Sequence, residues 1–226
     1  MRIFRTLFIS GLLAGSAAGN PININNFSFE SAPSDGYTVC AGAGCGYNTA
    51  SLVPSWTKTD FTNAGLVRPG NPGNTIYFNA TMPDGISIAF LDLGAEMTQS
   101  TAATVDLGMT YTLQVDVGNR KDKTSALGLV YLTIGSTSIS ATGSAPAVGF
   151  FSTFTATYTG LNADIGKVIG VRLTGPGDGG FGEGDFDNVR LNSSSVAGGV
   201  PEPATMTLLG AGLATLAFFR RKLTVG

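Results

Sequence analysis

Apolar and polar residues alternate along most of this chain with a period of two. From Tyr111 to Val117, the residues Tyr111, Leu113, Val115 and Val117 share one face, and Thr112, Gln114 and Asp116 share the other. Phe150, Phe154, Ala156 and Tyr158 oppose Thr153, Thr155 and Thr157. Ile169, Val171 and Leu173 alternate with Gly170 and Arg172, and Ile86, Ile88 and Phe90 repeat the pattern. This is the periodicity of strands that bury one face. The stretch from Leu127 to Ile134 is apolar almost throughout and reads as a central strand covered on both faces. No segment carries a sustained helical apolar period. Gly- and Pro-rich clusters at 68–74, 83–85 and 175–180 break the runs into short pieces, as turns require. The pattern predicts an all-β domain over 20–192, an antiparallel β-sandwich of the jelly-roll type with about ten strands.

Both ends of the chain depart from this pattern. Residues 1–19 open with Arg2 and Arg5, continue through a short apolar core, and close on Ser16-Ala17-Ala18-Gly19. That order predicts a secretory signal peptide. After a small-residue linker at 193–200 comes Pro201-Glu202-Pro203, then an uncharged apolar run over 204–219, then Arg220-Arg221-Lys222. The run predicts a transmembrane helix, short for a bilayer, with its basic end on the cytoplasmic side. This tail, 201–223, resembles the PEP-CTERM sorting signal of Gram-negative bacteria. The resemblance covers 198–223 and implies processing by an exosortase. It implies export across the inner membrane to the cell envelope, outer surface or extracellular matrix, with the membrane as a partner before processing.

Charge narrows the function classes. Five of the 13 basic residues lie in the two ends, while all 15 acidic residues lie between Glu30 and Glu202, so the exported part carries a balance of about −7. An acidic body is unsuited to nucleic acid, which needs a basic face. The chain contains no histidine. This removes the Ser-His-Asp and Cys-His arrangements and every His-ligated zinc site. Paired carboxylates for glycoside hydrolysis are possible in principle, but scattered acids single out no pair. The expectation is therefore a protein that is not an enzyme. Cys40 and Cys45 enclose four small residues, and in an exported protein so close a pair predicts a disulfide.

The segments Ile24-Asn-Asn-Phe-Ser-Phe-Glu30, Trp56, Tyr111 to Asn119 and Phe186-Asp-Asn-Val-Arg-Leu191 together resemble galactose-binding-like jelly rolls, which include carbohydrate-binding modules. That resemblance implies a structural calcium tying the early Phe-Glu strand to the last strand. Its implied ligands are Glu30 with Asp185 or Asp187, in the acidic, glycine-rich stretch that also holds Asp178 and Glu183. Calcium takes six to eight oxygens, which carbonyls of such a stretch can complete. The alternative is that Asp178 and Glu183 only solvate a loop.

Trp56, the single tryptophan, is expected in the core, while Tyr37, Tyr47 and Tyr77 are candidate platforms for stacking a sugar. Arg120-Lys-Asp-Lys123 reads as a solvated hairpin turn. The function expected on these grounds is non-catalytic binding of a glycan or exopolysaccharide at the cell surface. The alternatives are a structural matrix protein without a ligand site and a carboxylate-dependent glycan hydrolase.

Overall fold

The computed structural model describes residues 19–40, 44–70, 76–123, 127–177, 179, 182–195 and 208–213. The strands in chain order are β1 (Asn20–Ile22), β2 (Thr38–Val39), β3 (Cys45–Asn48), β4 (Thr57–Lys58), β5 (Ala64–Pro69), β6 (Ile88–Leu91) and β7 (Glu96–Thr104). They continue as β8 (Met109–Gly118), β9 (Leu129–Ile134), β10 (Thr137–Ser140), β11 (Phe151–Thr159), β12 (Val168–Thr174) and β13 (Gly184–Ser195). A large sheet runs β11-β8-β13-β6-β5-β3-β2, with β1 added along β13, and a five-stranded sheet runs β10-β9-β12-β7-β4. Every pairing among them is antiparallel. The predicted antiparallel β-sandwich is the observed fold.

The main core lies between the sheets. Tyr111, Leu113, Val115 and Val117 of β8 meet Val130, Leu132 and Ile134 of β9 and Ile169, Val171 and Leu173 of β12. The β8 and β12 residues are those the alternation placed on one face. Trp56 is buried among them, with its ring 5.2 Å from that of Phe29 and its Nε1–H donating to the Asn26 carbonyl at 3.3 Å. The apolar stretch at 127–134 behaves differently from expectation. Val130, Leu132 and Ile134 are buried, but Leu129 is exposed and Tyr131 and Thr133 are half-buried. Among the described residues the outer face of the smaller sheet is only partly covered there, so β9 buries one face.

The pattern Ile86, Ile88, Phe90 marks a face other than the core. On β6 the main core receives Ala89 and Leu91, whereas Ile88 and Phe90 join a second apolar cluster with Val67, Phe78, Tyr77, Met82 and Phe151. That cluster lies on the outer face of the large sheet. It exists because Phe78 of the preceding segment folds back onto Phe151, ring centroids 4.8 Å apart.

At the other end, 208–213 are helical. Among the described residues no helix is long and apolar enough to cross a membrane. Residues 1–18 of the signal peptide expected at 1–19, Asp178, the sorting residues Pro201, Glu202, Pro203, Arg220, Arg221 and Lys222, and most of the 204–219 run lie outside the described residues.

Candidate active site

The outer face of the large sheet carries one continuous row of residues across five strands. Gly65 pairs with Phe90, Phe90 with Asp185, Asp185 with Gly118, and Gly118 with Phe151. Direct cross-strand partners project to the same side of a sheet. Phe90, Asp185 and Phe151 therefore stand side by side, and Gly118 leaves room between the last two. A methyl group at Gly118 would fall 2.7 Å from Phe151 Cε1 and 3.0 Å from Asp185 Cβ. One register position further, Tyr47 of β3, Val67 of β5 and Ile88 of β6 form the next row.

A cavity of about 300 Å³ opens over this face, lined by Cys40, Tyr47, Thr49, Thr62, Val67, Tyr77, Phe90 and Arg120. Its wall is thus aromatic and aliphatic with one cation. Two of the three candidate stacking rings, Tyr47 and Tyr77, are in it. Tyr37 is not, because its ring lies under Arg68, 4.2 Å from the guanidinium carbon. The predicted bridge Cys40–Cys45 is present and joins the end of the short β2 to the start of β3 beside the cavity. Another recess runs beside β1, but Arg190 is the sole ionisable side chain in its lining and is paired with Asp116 at 3.1 Å.

Asp185 is the cross-strand neighbour of Phe90, which lines the cavity. It is fully buried, and neither carboxylate oxygen has a hydrogen-bond partner. Burial pushes its carboxyl well above the usual carboxylate range; the Glu183 charge adds to this and Arg120 opposes it. Desolvation disfavours the charged form of a carboxyl, so this acid holds its proton more tightly than an exposed one.

Arg120 is not the solvated turn residue that the sequence suggested. Its side chain is 11% exposed. It forks onto Asp122, Nε–H to Oδ1 at 2.9 Å and Nη2–H to Oδ2 at 2.7 Å, while Nη1–H donates to Glu183 Oε1. Its guanidinium carbon lies 4.1 Å from the centroid of the Tyr77 ring. Burial works against its charge, but the carboxylates around it prevail and hold its pKa above the ordinary value. Lys123 pairs with Asp92 at 3.1 Å and reaches the second oxygen of Glu183 at 3.5 Å. The turn is charged because it meets Glu183, a residue 63 positions away that no local pattern could have brought to it.

The three candidate calcium ligands fall into two places. Glu30 Oε1 accepts from the Ile86 and Ser87 backbone N–H groups at 2.8 and 2.6 Å. Gly85, at φ +76°, permits this, since any side chain there would strike the Glu30 carboxyl. Asp187 Oδ2 accepts from the Asp84 N–H at 2.9 Å and Oδ1 from the Asn188 N–H at 2.7 Å. Burial raises the Asp187 carboxyl to about 8; these two backbone bonds oppose it, and the nearby Asp84 and Glu30 charges add to it. Glu30 and Asp187 thus feel one another, and a break in the β8–β13 register after Asp187 sets it apart from the regular strand. Asp185 instead belongs with Glu183 and Arg120. Among the described residues, no group of three or more His, Cys, Asp or Glu side chains is arranged to hold a metal.

The profile of the HpiC1-like family, described as HpiC1 cyclase, matches residues 20–192. The chain belongs to the HpiC1-like cyclase family. The profile of the PEP-CTERM protein-sorting motif matches residues 199–222, which marks this family member for export to the cell envelope or beyond and for exosortase processing.

Among solved structures, a cyclase from Fischerella sp. TAU in complex with 4-(1H-indol-3-yl)butan-2-one is 27% identical over 77% of this chain and 98% of its own, with a TM-score of 0.63. A Stig cyclase from the same organism, in complex with (3Z)-3-(1-methyl-2-pyrrolidinylidene)-3H-indole, is 26% identical over 79% of this chain and 99% of its own, TM-score 0.64. A xylan-binding domain from Paenibacillus barcinonensis is also matched, at 11% identity over 81% of this chain and 100% of that one, TM-score 0.43. No curated protein sequence matches the chain.

Membership of a cyclase family corrects the expectation that the protein is not an enzyme. The absence of histidine does exclude His-based chemistry, but one desolvated carboxyl can act as an acid without it. The sequence offered fifteen acids and no sign of which one the fold would bury without a partner.

Proposed function

We propose that the exported domain is a cyclase that closes a ring in a small unsaturated aromatic molecule, with Asp185 as the proton donor. The observation that carries this reading is the buried Asp185 carboxyl, without a hydrogen-bond partner, beside Phe90 of an aromatic cavity. The proton leaves Asp185 and forms a C–H bond on the substrate. The resulting cation is attacked by a second π bond of the same molecule, which forms the ring bond. The cation then loses a proton to the Asp185 carboxylate, so the product is an isomer of the substrate. Tyr47, Tyr77 and Phe90 present ring faces or edges to the cavity, and aromatic faces favour a developing cation. Arg120 and Phe90 are the lining residues next to Asp185, so the substrate has to displace one of them to reach the acid. The indole ligands of the two relatives indicate the class of molecule to try first.

The test is incubation of the exported domain with alkenyl-substituted indoles in light and heavy water, alongside fluorescence titration of 4-(1H-indol-3-yl)butan-2-one. The reading expects saturable binding and an isomeric cyclic product that gains one deuterium in heavy water. Asp185→Asn should bind the indolyl ketone and yield no product. Turnover undiminished in Asp185→Asn would sink it.

A glycan is the second candidate occupant, favoured by Tyr47 and Tyr77, which line the cavity as stacking surfaces for a sugar ring. Saturable glycan binding lost in Tyr47→Ala, with no indole binding, would establish that reading.

We further propose that Glu30 and Asp187 share a structural calcium ion. A buried carboxyl whose ionisation is opposed by burial and by the charges of Asp84 and Glu30 is favoured in its charged form by a divalent cation. Calorimetric titration of calcium into the chelated protein should show one site, abolished by Asp187→Asn.

A further inference from the structure

The chain enters and leaves the domain at the same end of the sandwich. Asn20 of β1 pairs with Ser193 of β13, and Ser195, the last residue of β13, pairs with Met109 at the start of β8. Two connections close this end, 105–108 between β7 and β8 and 160–167 between β11 and β12. They are joined backbone to backbone. The Gly108 N–H donates to the Gly160 carbonyl at 2.9 Å and the Gly160 N–H to the Met109 carbonyl at 2.8 Å. The Val105 N–H donates to the Lys167 carbonyl at 3.0 Å and the Gly166 N–H to the Val105 carbonyl at 2.9 Å. Position 160 needs glycine for this approach, since a methyl group there would fall 2.1 Å from the Asp106 carbonyl oxygen. From this frame Leu107, Leu161 and Ile165 stand out into solvent, 63, 58 and 52% exposed. Val168, which opens β12, is exposed as well.

Charge at this tip is largely matched. Lys167, the single basic residue of the two connections, lies with its Nζ 2.6 Å from Asp164 Oδ1, and the Tyr158 hydroxyl donates to Asp164 Oδ2. Asp106 is the further acid there. Apolar side chains on bonded loops, without a basic cluster around them, fit the acyl boundary of a lipid surface and not its anionic headgroups. Where the chain goes after Ser195 says which surface. Residues 199–222 carry the sorting-motif match, and within them 204–219 is an uncharged apolar run. Six residue steps from Ser195 to Pro201 reach at most about 20 Å. We propose that Leu107, Leu161 and Ile165 form a membrane-resting tip: before processing, the exported domain stands with this end in the boundary of the bilayer that receives the sorting tail. The loops are already fixed by their backbone bonds, so insertion costs little conformational entropy. β8 starts at the tip with Met109 and ends at Gly118, ten residues that cover about 30 Å. Arg120, just beyond Gly118, lines the aromatic cavity. The cavity is thereby held away from the lipid.

The experiment is fluorescence quenching on the full chain reconstituted with phosphatidylcholine vesicles, whose acyl chains are either plain or brominated. Both native cysteines are taken up in the Cys40–Cys45 bridge, so an introduced cysteine is the sole free thiol. Leu161→Cys, Ile165→Cys and Val148→Cys are each labelled with a polarity-sensitive fluorophore and checked by a thermal melt. Val148 is the control: it is exposed, and the next residue bonds to Asn119 at the cavity end, Gly149 N–H to the Asn119 carbonyl at 2.6 Å. Labels at 161 and 165 should shift to the blue on plain vesicles and lose intensity on brominated ones, while the label at 148 does neither. Leu107→Asp, added to Ile165→Cys, should reduce the loss. Equal quenching at all three positions would show adsorption without orientation and overturn the proposal. So would a chain that floats with the vesicles while no label is quenched, since the tail would then act alone, and so would a chain that does not float. A blue shift at 161 that grows with protein concentration in the absence of vesicles would mean that a second copy covers the tip, which also overturns it. None of these readouts involves turnover, so the outcome leaves the reading of Asp185 untouched.

Discussion

Asp185 and Gly118 face each other across the β8–β13 ladder, and the space left by the absent side chain at Gly118 is filled by the Phe151 ring. The glycine therefore lets an aromatic ring lie against the acid and seal it from water. Gly118→Ala would place a methyl group 2.7 Å from Phe151 Cε1. We expect a loss of about 1–3 kcal/mol in stability from overpacking, read by chemical denaturation. We also expect a fall in the pH at which Asp185 titrates, because a displaced Phe151 admits water. An unchanged titration together with unchanged stability would show that the ring does not seal the acid.

Asp187 gives a pH dependence of a definite sign. Its folded carboxyl is raised to about 8, above its unfolded value of about 3.9. The folded state thus binds the proton more tightly than the unfolded state does. In calcium-free buffer, stability is full below about pH 4 and declines as pH rises toward about 8. Asp185 pulls in the same direction. Asp187→Asn should flatten the decline, and calcium should restore stability at the alkaline end. Melting curves from pH 4 to pH 9, with chelator and with calcium, measure both effects.

The Cys40–Cys45 bridge closes a short loop, which limits its stabilisation to about 2 kcal/mol. Its second effect is on the cavity, because Cys40 lines the wall beside Tyr47. Replacing both cysteines by serine should lower the melting temperature modestly and weaken binding of the indolyl ketone. The same two changes should follow reduction of the wild type. A melting shift without any loss of affinity would confine the bridge to a structural role.

Tyr77 stacks on Arg120 and also lines the cavity. Tyr77→Ala should reduce indole affinity about tenfold or more. Tyr77→Phe keeps the ring and should retain most of it. Trp56→Ala is the contrasting case: it should cost about 3–5 kcal/mol of stability and affect the cavity only through partial unfolding. Denaturation and ligand titration on the same three variants separate these outcomes.

What the sequence by itself determined is the set of features encoded locally. Period-two alternation in Tyr111 to Val117 and Ile169 to Leu173 named the core faces of β8 and β12, because a half-buried strand must alternate. Five residues of spacing were enough to predict the Cys40–Cys45 bridge. The sorting tail was legible because its order of motif, apolar run and basic end is itself the signal. Tyr47 and Tyr77 were among the candidate rings, yet only the Arg68 guanidinium lying over the Tyr37 ring separates them from it.

Tertiary structure alone decided the site. Ile88 and Phe90 alternate as a core pair would, and only the fold-back of Phe78 onto Phe151 turns their face into the wall of a cavity. Arg120 looked like a solvated turn, and Asp185 like one acid among many. The first is drawn in by Glu183, 63 residues further on. The second is stripped of water by neighbours from β6, β8 and β11. Proton affinity depends on desolvation and on nearby charge. Both are set by residues distant in the chain, so the acid that matters is defined only when the sheet closes around it.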